Sequence, residues 1–301
     1  MKKATKIGLI IGIILILTGS IIFISAMAAS DWNIESLSSD EFKTNTYEIT
    51  EDIRNISIDT SLANVVFVPT DKKTTEVVCF EDKTMKHSVT TENNTLIITE
   101  TDSREWFDFI KIFQLHSPEI TVYLPEDEYE TIAVTSDVGD IEIAKEFTFL
   151  DITATTDTGD IRCFASATEI TKLESDTGSI LVEMVSASSI ELSIDTGSIC
   201  AKNLTCDNLT AYSDTGDITL ESVVAAETFS IENSTGNIEF IDCDAAEIFA
   251  ETSTGEIFGT LLTEKFFFAQ SSTGDVSVPQ TMGGGRCELI TDTGDIQIEL
   301  K

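Results

Sequence analysis

Positive charge is scarce in this chain: 18 Lys+Arg stand against 53 Asp+Glu, a formal net charge of −35 over 301 residues. Three of the basic residues (Lys2, Lys3, Lys6) precede a long apolar run and no acid occurs before Asp31, so the remainder is more acidic still. Such a polyanion is repelled by DNA, RNA and anionic headgroups, which excludes nucleic-acid binding through a basic face. With only 4 prolines and 2 histidines, little is left for Pro-rich recognition or His-based metal chemistry. Six cysteines (Cys79, Cys163, Cys200, Cys206, Cys243, Cys287) show no CxxC spacing and no disulfide framework, so a zinc finger is not expected. Apolar material is not lacking. At 42% hydrophobic and 24% charged residues, the chain can build a large core and is not disordered by composition.

The apolar run itself covers Ile7 to Ala29 without a charge. About 20 apolar residues span the ~30 Å hydrocarbon core as a helix. Lysines before the run and acids after it place the N-terminus inside by the positive-inside rule. The expectation is a transmembrane anchor over 1–29, localising the protein to the cell membrane as a single-pass chain with an extracytoplasmic C-terminal domain. The competing reading is a secreted protein with a cleaved signal peptide, since Ala26-Met27-Ala28 fits a small-x-small site.

From residue 135 a short phrase recurs, first as TSDVGDI (135–141), then TTDTGDI (155–161) and ESDTGSI (174–180), with the last copy ITDTGDI at 290–296. Its glycines are 139, 159, 178, 197, 216, 236, 255, 274 and 294. A fixed period of 19–20 residues indicates a solenoid. Ile141, Ile161, Ile180 and their equivalents lie two positions after each glycine, and pairs such as Ile132/Val134 and Ile190/Leu192 lie before it. This is period-two alternation on both sides of a turn, so each repeat supplies two half-buried strands. The fold class read from it is all-β: a β-solenoid of stacked two-strand coils over 129–301, preceded by a β region at 30–128 that caps it. Nine coils at the inter-strand spacing give a length on the order of 40 Å. Ile170 and Leu173 are out of step, which points to a local bulge. Cys163, Cys243 and Cys287 occupy apolar positions of the repeat and read as small core residues. Cys200 and Cys206 are the one pair close enough in sequence to bridge readily.

In the Asp-Thr-Gly turn, aspartate can accept bonds from its own turn backbone, and glycine supplies a positive φ without steric cost. Stacking aligns Asp157, Asp176, Asp195 and Asp214 in one ladder, continued by Ser234, Ser253, Ser272 and then Asp292. Asp140, Asp160, Asp217, Glu256, Asp275 and Asp295 form a second. Carboxylates ~5 Å apart repel by about 0.8 kcal/mol in water, so turn hydrogen bonds, salt or bound cations must offset them. Two readings stand: turn capping, or a Ca2+ ladder on Asp157, Asp176, Asp195, Asp214, Asp160 and Asp217. The same tripeptide marks aspartic proteases, but that chemistry needs two converging loops sharing a proton, and a catalytic loop is not copied along a solenoid.

Residues 30–128 hold strands without the glycine phrase, among them Ile53–Ile58, Val65–Val68 and Ile120–Leu124. Within Arg104–His116, Trp106, Phe109, Ile110 and Phe113 fall at helical spacing; either a lid on the core or a docking segment follows.

The Lys-rich start and single apolar run, the strand ending Val122-Tyr123-Leu124-Pro125 and the repeated S/T-D-T-G-D-I units resemble a bacterial β-strand-repeat family labelled putative adhesins, a domain family of unknown function. The resemblance implies an extracytoplasmic envelope protein with no established catalytic residues and no cofactor. Three functions are weighed. The first is a non-enzymatic surface module binding a cell-surface or envelope protein or a glycan, with Phe266 and Phe268 either part of an exposed face or covered by a loop. The second is an envelope-stress sensor accessory or scaffold beside a membrane partner. The third, a β-helix enzyme acting on polysaccharide, lacks the inserted loops and basic neighbours that such sites need. End-to-end self-association is a further expectation, since no cap is evident after Ile296–Ile298.

Overall fold

Alternation of inward apolar and outward polar residues closes the chain into two parallel sheets joined by glycine turns. The computed structural model of the protein describes residues 3–29, 32, 42–81, 85–102 and 117–301. The segment expected to be helical around Trp106 to Phe113 lies outside the described residues.

The chain divides into two compact units; the N-terminal helix belongs to one, and the strands from Lys43 onward to the other. The helix Lys3–Ala29 forms as the apolar run suggests. Among the described residues, however, no helix is long and apolar enough to cross a membrane. The expected transmembrane anchor, and with it the single-pass cell-membrane localisation, is therefore corrected.

In the strand unit, the first strand of each coil pairs in parallel with that of the next: Glu128–Val138 with Thr148–Thr158, that with Ser166–Glu183, and so on through Val224–Thr235. The second strands form the facing sheet, Ile141–Ile143 beside Ile161–Cys163 and onward. Register places like on like. Ile141, Ile161, Ile180, Ile199, Ile218, Ile238, Ile257 and Ile296 stack as one column, each no more than 1% exposed. Full burial of each stabilises by roughly 1.5–3 kcal/mol before the entropy of ordering is subtracted. The expected bulge is present: opposite Phe149–Asp151 the next coil carries one extra residue, which turns Ile170 outward and keeps Leu173 fully buried.

Coil order departs from chain order at both ends of the stack. Near the C-terminus, Gly285–Thr293 inserts between Ile238–Thr254 and Lys265–Thr273, and Ile296–Leu300 inserts between Ile257–Leu261 and Val276–Ser277. The later repeat is thus interior and the earlier one, around Gly274, is outermost. That is why Val276 is 44% exposed although its counterparts in the isoleucine column are buried. A glycine triplet makes the crossing possible, because a Cβ on Gly285 would lie 1.6 Å from the Ala246 carbonyl oxygen.

At the other end, Asn55–Thr60 and Asn64–Thr70 form a coil that pairs with Glu128–Val138 and Ile141–Ile143 on one side. On its other side lie Thr95–Asp102 and Glu119–Pro125. The stack therefore extends into the N-terminal region. Antiparallel strands cover its far side: Met85–Glu92 on Thr95–Asp102, and Thr75–Glu81 on Glu119–Pro125, with Lys43–Ile49 beyond. Antiparallel addition ends the parallel ladder, in the manner of a capping repeat.

Candidate functional site

Among the described residues, chemistry-bearing side chains come together at the stacked turns, on the outer face near the C-terminus and in the interior of the N-terminal cap.

At the turns the chain packs as closely as backbone allows. Gly178 has φ +154° and a Cβ there would sit 2.0 Å from the Gly159 carbonyl oxygen, so the residue answers both to the positive φ and to the approach of the neighbouring coil. Asp157, Asp176 and Asp195 stand in register on the solvent side, with Asp214 next to Asp195. Their ladder continues in the spatial order Ser234, Ser253, Asp292, Ser272 rather than in chain order. Asp214 Oδ1 accepts from the Tyr212 hydroxyl at 2.6 Å and from Ser234 Oγ at 3.0 Å, and these bonds hold its carboxyl below the usual carboxylate value.

The second ladder is wired differently. Asp140 Oδ1 accepts from the Asp160 backbone N–H (2.8 Å), Asp160 Oδ1 from that of Ser179 (2.9 Å), and Asp217 Oδ1 from that of Asn237 (2.8 Å). Each carboxylate caps an amide one coil along, and Arg162 adds 2.6 Å and 3.5 Å contacts to Asp160 and Asp140. A further ladder escaped the sequence reading. Three positions before the glycine, buried Thr156, Ser175, Thr252 and Thr291 donate to the carbonyl of the adjacent coil's glycine at 2.9–3.1 Å. The signal was present as the Ser/Thr that precedes Asp-Thr-Gly in most copies.

On the outer face of the first sheet, Phe266 and Phe268 are 48% and 57% exposed; of the two alternatives for these rings, exposure is the one observed. The Arg286 guanidinium stands 5.2 Å from the Phe268 ring centre and pairs with Glu288 at 2.7 Å. A shallow groove beside them is lined by Thr228, Ser230, Glu247, Phe249, Arg286 and Glu288.

Inside the cap, strand alternation turns Val77, Cys79 and Glu81 inward from one sheet, and Met85 and His87 inward from the other. Ligand atoms of Cys79, Glu81 and His87 all lie within 4.8 Å of one another, and all three residues are buried. Glu81 Oε2 accepts from the His87 backbone N–H at 2.7 Å and lies 2.9 Å from His87 Nδ1, while Glu81 Oε1 accepts from Asn45 Nδ2 at 2.5 Å. On the other side of the ring, His87 Nε2 is 3.3 Å from Thr60 Oγ1 and 4.0 Å from Glu100 Oε2. Thr60 Oγ1 donates to that Glu100 oxygen at 3.0 Å. Burial, reinforced by Glu81, pushes the Cys79 thiol up to about 12. No sequence signal marked this cluster, since its members meet only when the two sheets face each other.

The cysteines otherwise behave as small core residues. Cys163, Cys243 and Cys287 are buried and free. Cys206 faces the interior whereas Cys200 is half-exposed on the opposite phase of its strand, and both are free thiols.

Comparison with known proteins agrees with this architecture. The crystal structure of a putative adhesin from Parabacteroides merdae matches with a TM-score of 0.54 at 13% identity, covering 85% of this chain and 96% of that one. A putative adhesin from Bacteroides fragilis matches with a TM-score of 0.47 at 17% identity, covering 88% and 98%. A putative lipid binding protein from Parabacteroides distasonis gives 0.46 at 17%, covering 85% and 97%. At such identities the likeness concerns the fold alone, and it is the first of the three that supports it. No curated protein matches the chain. Residues 53–299, most of the chain and nearly all of its strands, match one family model, so the protein belongs to the Toastrack DUF4097 family.

Proposed function

We propose that the protein is a non-enzymatic, adhesin-like binding module that engages a neutral glycan through the outer face of its C-terminal coils. The observation that carries this reading is the pair of exposed rings, Phe266 and Phe268, beside Arg286 and Glu288. Large exposed apolar side chains rimmed by polar groups mark interaction sites. A flat ring stacks on the C–H face of a sugar, while the neighbouring guanidinium and carboxylates hydrogen-bond its hydroxyls. A net charge of −35 disfavours an anionic ligand. Against catalysis stand the unbroken 19–20-residue period of the repeats, which leaves no inserted loop to build a site, and the engagement of Asp140, Asp160 and Asp217 by backbone amides.

The test is binding of the full chain to an array of neutral polysaccharides, compared with a Phe266→Ala/Phe268→Ala double variant. Binding that falls at least about tenfold (~1.4 kcal/mol) in the variant, with an unchanged β-sheet circular dichroism spectrum, is expected. Failure of the wild-type chain to bind any neutral glycan, or equal binding by the variant, refutes the assignment of ligand and face.

A further inference from the structure

The interior of the N-terminal cap gathers titratable side chains away from water. Glu81 is 2% exposed, His87 4% exposed, and the Glu100 side chain is 5% exposed, so two carboxyl groups flank one imidazole away from water. Glu100 Oε1 is buried without a hydrogen-bond partner. Buried polar groups cost free energy unless they find partners, and a bound cation is one partner that a cluster of this composition can take. The donor set says which cation. A thiolate, an imidazole nitrogen and a carboxylate oxygen are the ligands of a borderline-soft ion of the Zn2+ class, whereas Ca2+ and Mg2+ take oxygen. The imidazole is also oriented as a metal ligand is: Nδ1 faces Glu81, and Nε2 faces Thr60 and Glu100. Carboxylate support on the far ring nitrogen is the usual companion of a zinc-bound histidine.

We infer that Cys79 Sγ, the Glu81 carboxylate and His87 Nδ1 bind one Zn2+-class ion inside the N-terminal cap, with Thr60 and Glu100 orienting the histidine. Binding displaces the Cys79 thiol proton, and any proton held between His87 Nδ1 and Glu81, to solvent. Thiolate and Glu81 carboxylate then neutralise the divalent charge, and the His87 Nε2–H is left to donate to the Thr60 hydroxyl, which itself donates to Glu100. Three protein donors leave one position of a tetrahedron for water or the second Glu81 oxygen. The site is structural in kind, because its ligands are inaccessible and it joins Thr75–Glu81 of one sheet to Met85–Glu92 of the other. It is independent of the glycan face and runs against the sparse-histidine expectation drawn from composition.

The experiment strips the full chain with a chelator and titrates it with Co2+, then with Zn2+ against a chromophoric competitor. One Co2+ per chain is expected, with a thiolate-to-cobalt charge-transfer band that Zn2+ abolishes. Cys79→Ser loses the band, whereas Cys206→Ser, which alters a buried thiol elsewhere, keeps it. Absence of stoichiometric binding, or a thiolate band that survives in Cys79→Ser, overturns the inference. Should Cys79→Ser not fold, Glu100→Gln takes its place: it leaves all three ligands and weakens Zn2+ binding roughly 10–100-fold, and an unchanged affinity overturns the assignment.

Discussion

A single methyl group is the most direct probe of the stacked turns. At Gly178 it meets two obstacles at once, a φ of +154° and the Gly159 carbonyl 2.0 Å from the new atom. The backbone conformation alone costs an L-residue about 1–3 kcal/mol, and the carbonyl clash is added to it, so Gly178→Ala is expected to lower stability by at least that amount. Equilibrium denaturation in guanidinium measures it; a loss under ~0.5 kcal/mol, the size of an ordinary surface change, contradicts the packing described. Asp214 offers a gentler probe. Its carboxyl is lowered from 3.8 first by the Tyr212 hydroxyl and then by Ser234. A lowered folded value contributes stability above the unfolded value, and that contribution fades as pH falls through the folded one. Tyr212→Phe is expected to raise the Asp214 titration midpoint toward 3.8 in a carbon-13 NMR titration and to soften this acid dependence. No change in midpoint counts against the 2.6 Å bond.

Elements were legible where one residue type recurs at one phase. The isoleucine column and the glycine turn follow directly from period-two alternation around Asp-Thr-Gly, and the bulge at Ile170 showed as a break of phase. The hydroxyl ladder is not legible, although Thr156, Ser175, Thr252 and Thr291 occupy one position of the phrase. A small polar residue at an inward site resembles turn punctuation until the adjacent glycine carbonyl is seen to need a donor. The cap cluster was hidden for another reason. Cys79 and Glu81 lie on one strand and His87 on another, and no metal spacing exists in the chain because the two sheets supply the ligands across the core. At the N-terminal run, apolar composition alone pointed to a membrane crossing that the helix does not support. Phe266 and Phe268 were legible as residues, but their exposure depends on coil order, which the repeat cannot specify: each coil presents nearly the same edge to any neighbour.

For the whole strand unit, the displaced coils at both ends set how it comes apart. In a solenoid stacked in chain order, removing the last repeat trims one interface and leaves the rest intact. Here residues 284–301 fill an interior layer between Ile238–Leu261 and Lys265–Ser277. Their deletion breaks two interfaces and strands the outermost coil. Truncation after Gly283 is therefore expected to lower the thermal midpoint far more than loss of a terminal layer and to make Lys265–Thr273 susceptible to protease. A truncated chain with a near-native midpoint and an intact protease map refutes the interleaved order.

Interleaving also decides how the stack meets a pull. Tension applied at Ile296–Leu300 acts on a strand paired along its whole length with Ile257–Leu261 and, at Ile296 and Gln297, with Val276–Ser277 on the other side. Beyond Gln297 the strand can peel from one neighbour, but at Ile296 and Gln297 it must slide out from between two, with both ladders sheared together. A tether attached there would hold under load by geometry, whatever the strength of any one of its bonds.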